Sequence, residues 1–162
     1  TPMPYDGAVM RLKIPRFEVD SLIENIGILP NGYLDTPHDP YNTGWYDIYD
    51  KPGFGGNAVF AAHVDYYPRI RGPFYDLDEM NAGDQVVIQM EDGREYIYEV
   101  ISKVRYPEAE IPMGLIIDAP ERPPDQEWIT LITCGGRFRP NNGVSGPGHY
   151  LDRDVVVAMR VQ

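Results

Sequence analysis

The chain is poor in cysteine: Cys134 is the only one in 162 residues. An intramolecular disulfide is therefore excluded, and the core must hold without covalent staples. The length permits that, since ~100–200 residues make one domain with a sizeable core. Basic residues are few. Lys and Arg number 14 against 25 Asp and Glu, a formal charge of −11. A surface of that sign repels phosphate backbones and argues against nucleic acid as a partner. The acids are spread along the chain, as on a solvated surface, rather than gathered in a tail. No secretory leader is visible, and no apolar run reaches the ~18 residues of a membrane span. No stretch keeps a 3.6-residue period long enough for a major helix.

What is present favours strands and turns. Hydrophobic residues make up 43%, with 12 Tyr, 16 Gly and 16 Pro. The runs 9–15 (VMRLKIP), 57–65 (NAVFAAHVD), 84–90 (DQVVIQM), 94–104 (REYIYEVISKV), 127–134 (EWITLITC) and 154–161 (DVVVAMRV) read as strands. An Asp-Gly turn at 92–93 joins the third run to the fourth. Residues 73–80 (PFYDLDEM) suit one or two helical turns. Short strands divided by turn residues predict a barrel or a sandwich. Between 105 and 126, Pro107, Pro112, Pro120, Pro123 and Pro124 exclude a regular strand. Long connections of this kind are often functional. Ile111, Met113, Leu115, Ile116 and Ile117 within it must pack on the barrel or on a ligand.

Three residue types carry candidate chemistry. Cys134 ends an apolar run and precedes Gly135 and Gly136. It is a small buried hydrophobe, or a thiol left accessible by the glycines at a strand end. His63 closes a run of small residues, either as a satisfied core residue or facing a cleft. His38 and His149 lie in turn-rich segments and read as exposed. Arg153 precedes the last strand, and Arg137 and Arg139 follow Cys134; surface charge is the ordinary reading of all three. Together, a thiolate, an imidazolium and a guanidinium would supply a nucleophile, an acid for a leaving amine and an oxyanion partner. They do so only if the strand ends converge.

"AAHVD" at 61–65, "TLITC" at 130–134 and "RDVVVA" at 153–158, in that order, closely resemble the motifs of the sortases, bacterial cysteine transpeptidases. The likeness runs from "MRLKIPRFEV" to the last strand, with Ala62 standing where the family more often has glycine before the histidine. The resemblance implies one catalytic domain over 1–162, mainly β: a closed eight-stranded barrel with short helical turns. It implies catalytic roles for His63, Cys134 and Arg153, with Arg139 the competing arginine. Cys134 would attack the Thr–Gly bond of a C-terminal Leu-Pro-x-Thr-Gly-like or Leu-Ala-x-Thr-Gly-like sorting signal. His63 would protonate the leaving amine, Arg153 would stabilise the oxyanion, and a cell-wall or pilin amine would resolve the thioacyl enzyme.

In the family, the proline-rich segment shapes the pocket for the signal's Leu-Pro half. Ile111, Met113, Ile116 and Ile117 are the candidates to line it, with Thr133 beside the nucleophile. Asp65, two residues past His63, is a possible orienter of the ring but reads better as an ordinary loop acid. Asp-Pro-Tyr at 39–41 superficially resembles the lid of pilin-assembling sortases, but it runs into "NTGWY" and reads as part of the barrel. The short N-terminus, "TCGG" and the compact barrel suggest the small class E or F enzymes. One family branch binds calcium near the long loop. Glu108, Glu110 and Asp118 are present there, but neither a metal nor a cofactor is predicted. The resemblance implies a bacterial cell-surface location, with a membrane anchor N-terminal to this chain. The alternatives are hydrolysis by the same residues and a peptide-binding barrel without chemistry.

Overall fold

The computed structural model describes residues 3–66, 69–140 and 148–162, without the side chains at 134–140, 148 and 149. The strands are β1 (Val9–Ile14), β2 (Val19–Ile26), β3 (Thr43–Tyr46), β4 (Asn57–Ala62), β5 (Asp65–Tyr66), β6 (Ile70–Arg71), β7 (Gln85–Met90), β8 (Glu95–Pro107), β9 (Trp128–Pro140) and β10 (Gly148–Arg160). Eight of them close a barrel in the order β1-β2-β3-β4-β9-β10-β8-β7, while β5 and β6 form a separate ribbon. The β2–β3 and β4–β9 pairs are parallel. The other barrel pairs are antiparallel. The only α-helix among the described residues is α1 (Met113–Asp118), and the expected turns at 73–80 contain one 3₁₀ turn, Leu77–Glu79.

Alternation explains the packing. Successive strand residues face opposite sides of a sheet. On β4, Ala58, Phe60 and Ala62 enter the barrel interior, where Leu12, Met90, Tyr98, Ile129 and Leu131 also lie. Val59 and Ala61 point outward to a second cluster with Ile26, Tyr46, Ile132 and Val155. Against that outer cluster pack Ile111, Met113, Ile116 and Ile117, from the proline-rich segment. With both faces covered, β4 is buried along its whole length. That burial accounts for its unbroken small apolar run. A fully buried side chain such as Phe60 (0% exposed) stabilises the fold by about 1.5–3 kcal/mol.

Three strands outrun their sequence assignments. The fourth predicted run continues to Pro107, because β8 stays paired with β10 as far as Pro107 opposite Asp152. Proline is tolerated there at the strand's last residue. The segment free of strand therefore begins at Glu108. Likewise β9 and β10 pair out to Pro140 and Gly148, well beyond the predicted strand ends at Cys134 and Asp154. Strands β2 and β3 were not assigned from the residues. In β2 only Ser21 and Ile26 are buried, which leaves a weak alternation.

Candidate active site

The site forms where β4, β9 and β10 run side by side. The parallel pair β4–β9 is in register through Ala61 opposite Ile132. Two residues further along each chain stand His63 and Cys134. On the other side of β9, Arg153 of β10 is the register partner of Cys134. The three backbone positions thus lie at one end of the barrel, His63 one residue past the end of β4 and Cys134 and Arg153 on the neighbouring strands β9 and β10. The Cys134, Arg139 and His149 side chains lie outside the described residues.

A cavity of about 290 Å³ opens at this end, lined by His63, Thr133 and Arg153. Its apolar wall comes from Leu34, Tyr46, Ala61, Ile132 and Met113. Of the four predicted apolar pocket residues, Met113 reaches the cavity wall. Ile111, Ile116 and Ile117 lie with it on the outer cluster of the barrel. Thr133 is 3% exposed, and its hydroxyl donates to the Ala62 carbonyl at 2.7 Å. That bond ties β9 to β4 immediately before His63 and Cys134.

His63 is held from three sides. Its Nε2 lies 3.2 Å from the Pro37 carbonyl. Its ring meets the Tyr66 ring edge-on at 5.3 Å between centroids. Its backbone carbonyl accepts the Phe74 N–H at 3.2 Å. Gly72 packs so closely that a Cβ there would strike the His63 carbonyl, so the chain needs glycine at that crossing. The Asp65 carboxylate accepts the Tyr150 hydroxyl at 2.9 Å.

Arg153 is fixed by an ion pair with Glu108 (3.1 Å) and by donating to the Tyr150 and Asp152 carbonyls. Glu108, one of the acids weighed for calcium, is therefore engaged with a cation. Among the described residues, no group of three or more His, Cys, Asp or Glu is arranged to hold a metal. The Tyr46 hydroxyl donates to the Asp35 carbonyl at 2.7 Å, and burial pushes its pKa well up, so it stays a neutral donor. The Asp-Pro-Tyr at 39–41 lies in the loop between β2 and β3, outside any strand.

Sequence reasoning missed Leu34, Pro37, Tyr46 and the pairing role of Glu108. They come from segments far apart in the chain, and none carries a local pattern that singles it out.

Comparison with known proteins adds to this geometry. A model of the sortase domain matches residues 12–161. No curated protein matches the chain. Among solved structures, sortase A from Corynebacterium diphtheriae is 20% identical, with a TM-score of 0.67 over 96% of this chain and 61% of that one. The SrtA sortase from Actinomyces oris is 20% identical, with a TM-score of 0.66 over 99% of this chain and 83% of that one. Sortase C1 from Streptococcus suis is 21% identical, with a TM-score of 0.66 over 96% of this chain and 74% of that one. At these identities the likeness to the solved structures is one of fold.

Proposed function

Because the chain belongs to the sortase family, we propose that it is a cysteine transpeptidase acting on C-terminal sorting signals of the Leu-Pro-x-Thr-Gly or Leu-Ala-x-Thr-Gly kind. The Cys134 thiolate attacks the threonine carbonyl carbon. The resulting oxyanion is stabilised by the Arg153 guanidinium. As the Thr–Gly bond breaks, the glycine amine takes a proton from the His63 imidazolium. A thioester to Cys134 remains. An incoming amine attacks it, gives its proton to His63 and releases the thiolate. The apolar wall with Met113 receives the signal's Leu-Pro or Leu-Ala half. Ile111, Ile116 and Ile117 shape that wall from behind, and Thr133 borders the acyl carbon.

The observation that carries this reading is a cavity lined by both His63, one residue past the end of β4, and Arg153 of β10, the two strands that flank the one bearing Cys134. The acceptor is a cell-wall precursor or pilin amine, which sets the work outside the cytoplasm at a bacterial surface. A membrane anchor would lie in an N-terminal segment beyond this chain; no helix among the described residues is long and apolar enough to cross a membrane. Class E or F is the proposed subclass.

Intact mass after incubation with each peptide, wild type beside Cys134→Ala, tests the proposal. An acyl adduct on the wild type alone, discharged by triglycine or a diaminopimelate-type amine, is the expected result. Cleavage without transfer to the amine would make it a hydrolase. Neither adduct nor cleavage with either peptide would overturn the transpeptidase reading for these signals.

A further inference from the structure

His63 and Glu24 grip opposite ends of one peptide group. The Pro37 carbonyl faces the His63 Nε2 at 3.2 Å. The N–H of that same peptide unit belongs to His38 and donates to Glu24 Oε1 at 3.1 Å. The other carboxylate oxygen of Glu24 accepts the Asp39 N–H at 2.9 Å and the Asn42 amide at 3.0 Å. At the near end of the same loop, the Asp35 N–H donates to the Gly27 carbonyl, and the Asp35 carbonyl accepts the Tyr46 hydroxyl.

We infer that Glu24 is a positioning residue for His63, acting through the peptide plane between residues 37 and 38. The inference rests on the role proposed above for His63. A carbonyl only accepts, so Nε2 must carry a proton and Nδ1 is left as the nitrogen that exchanges one with substrate. In a planar trans peptide the N–H and C=O point in opposite directions. An anion on the N–H therefore aims the carbonyl and polarises it, which makes it a stronger acceptor. The imidazolium formed during catalysis gains most from that. The arrangement is a carboxylate–peptide–imidazole chain, with a backbone unit where a direct carboxylate–histidine contact would otherwise stand.

The state of Glu24 agrees with this use. Burial alone would raise its pKa, but the Asp39 and His38 N–H groups and the Asn42 amide outweigh burial and hold it below the usual carboxylate range. Among the described residues, the charged groups that line the cavity beside His63 are Arg153 and Glu108, which are paired with each other.

The test is ring ¹⁵N spectroscopy of uniformly labelled protein, with the His63 signals assigned by their loss in His63→Gln. In the wild type the neutral ring is expected to carry its proton on Nε2. In Glu24→Ala both tautomers are expected to be populated, and kcat for peptide transfer should fall about tenfold with KM little changed, the worth of one hydrogen bond to a charged group. Glu24→Gln, which keeps one acceptor oxygen without the charge, should fall between the two. If Glu24→Ala does not fold, the wild-type tautomer and Glu24→Gln decide. A wild-type proton on Nδ1, or His63 ring signals unmoved by either substitution, overturns the inference. The spectrum needs no substrate. An inactive wild type whose Nε2–H tautomer is lost in Glu24→Ala would sink the catalytic reading and leave the positioning role standing.

Discussion

Thr133 does its work through one hydroxyl. The group is buried and donates to the Ala62 carbonyl at 2.7 Å, the last tie between β4 and β9 before His63 and Cys134. Thr133→Val keeps the shape and removes the donor. It should cost about 1–3 kcal/mol, because the carbonyl loses a partner away from water. The urea midpoint measures that, and an unchanged midpoint would show the bond to be dispensable. Such residues differ in how far a sequence reveals them. His63, Cys134 and Arg153 were singled out from the sequence because the chemistry restricts residue type and neighbouring motifs mark their places. Glu24 and Pro37 were not. Pro37 contributes a carbonyl, which any residue supplies, and Glu24 reaches the next peptide N–H only once β2 and the loop after it have closed together.

At the scale of elements, the six-residue helix α1 is too short to stand alone. It is held by Asn57 at the start of β4. The Asn57 amide nitrogen donates to the Ile116 and Ile117 carbonyls at 3.2 and 3.1 Å, and its oxygen accepts the Thr130 hydroxyl at 2.7 Å. Asn57→Ala frees the helix end and leaves two carbonyls and a hydroxyl short of partners. A loss of about 2–3 kcal/mol in urea unfolding is expected. With Met113 less firmly placed, KM for the signal peptide should rise several-fold while kcat changes little. A fall in kcat alone would place the role of α1 elsewhere. The strands themselves were legible where alternation or a buried apolar run was strong, as in β1, β4 and β7. The sequence understated β8, β9 and β10, whose outer ends pair with one another; in β8 the side chains from Ile101 to Pro107 lie outside the core, so no buried apolar run marks that end. It hid β2 and β3 because β3 is four residues long and β2 buries few of its side chains.

Over the whole molecule, fixed charges determine how stability follows pH. Asp35, Asp84, Asp92 and Glu24 are carboxylates held below their ordinary range. Asp35 is lowered first by its hydrogen bond with the His38 ring, and Asp84 and Asp92 first by the Asn81 and Arg94 backbone N–H groups. For Glu24, burial acts upward and hydrogen bonds outweigh it. A depressed carboxylate binds fewer protons in the native than in the unfolded chain. Its contribution is therefore complete above an unfolded pKa of about 4 and is lost as pH falls through the folded value. His38 works in the opposite sense. Its pKa is raised, first by the hydrogen bond to Asp35, so its contribution is complete below about 6.5 and fades as pH rises through the folded value. The urea midpoint should therefore be highest between about pH 5 and 6.5, fall steeply below about pH 4, and decline gently above neutrality. The upper limb is gentle because the His38 side chain is 77% exposed and its pair is screened. His38→Gln should flatten the upper limb and also shrink the acid limb, since His38 is the leading cause of the low Asp35 pKa. A midpoint level from about pH 6 to 8 in the wild type would show that the Asp35–His38 pair does not stabilise the loop carrying Pro37.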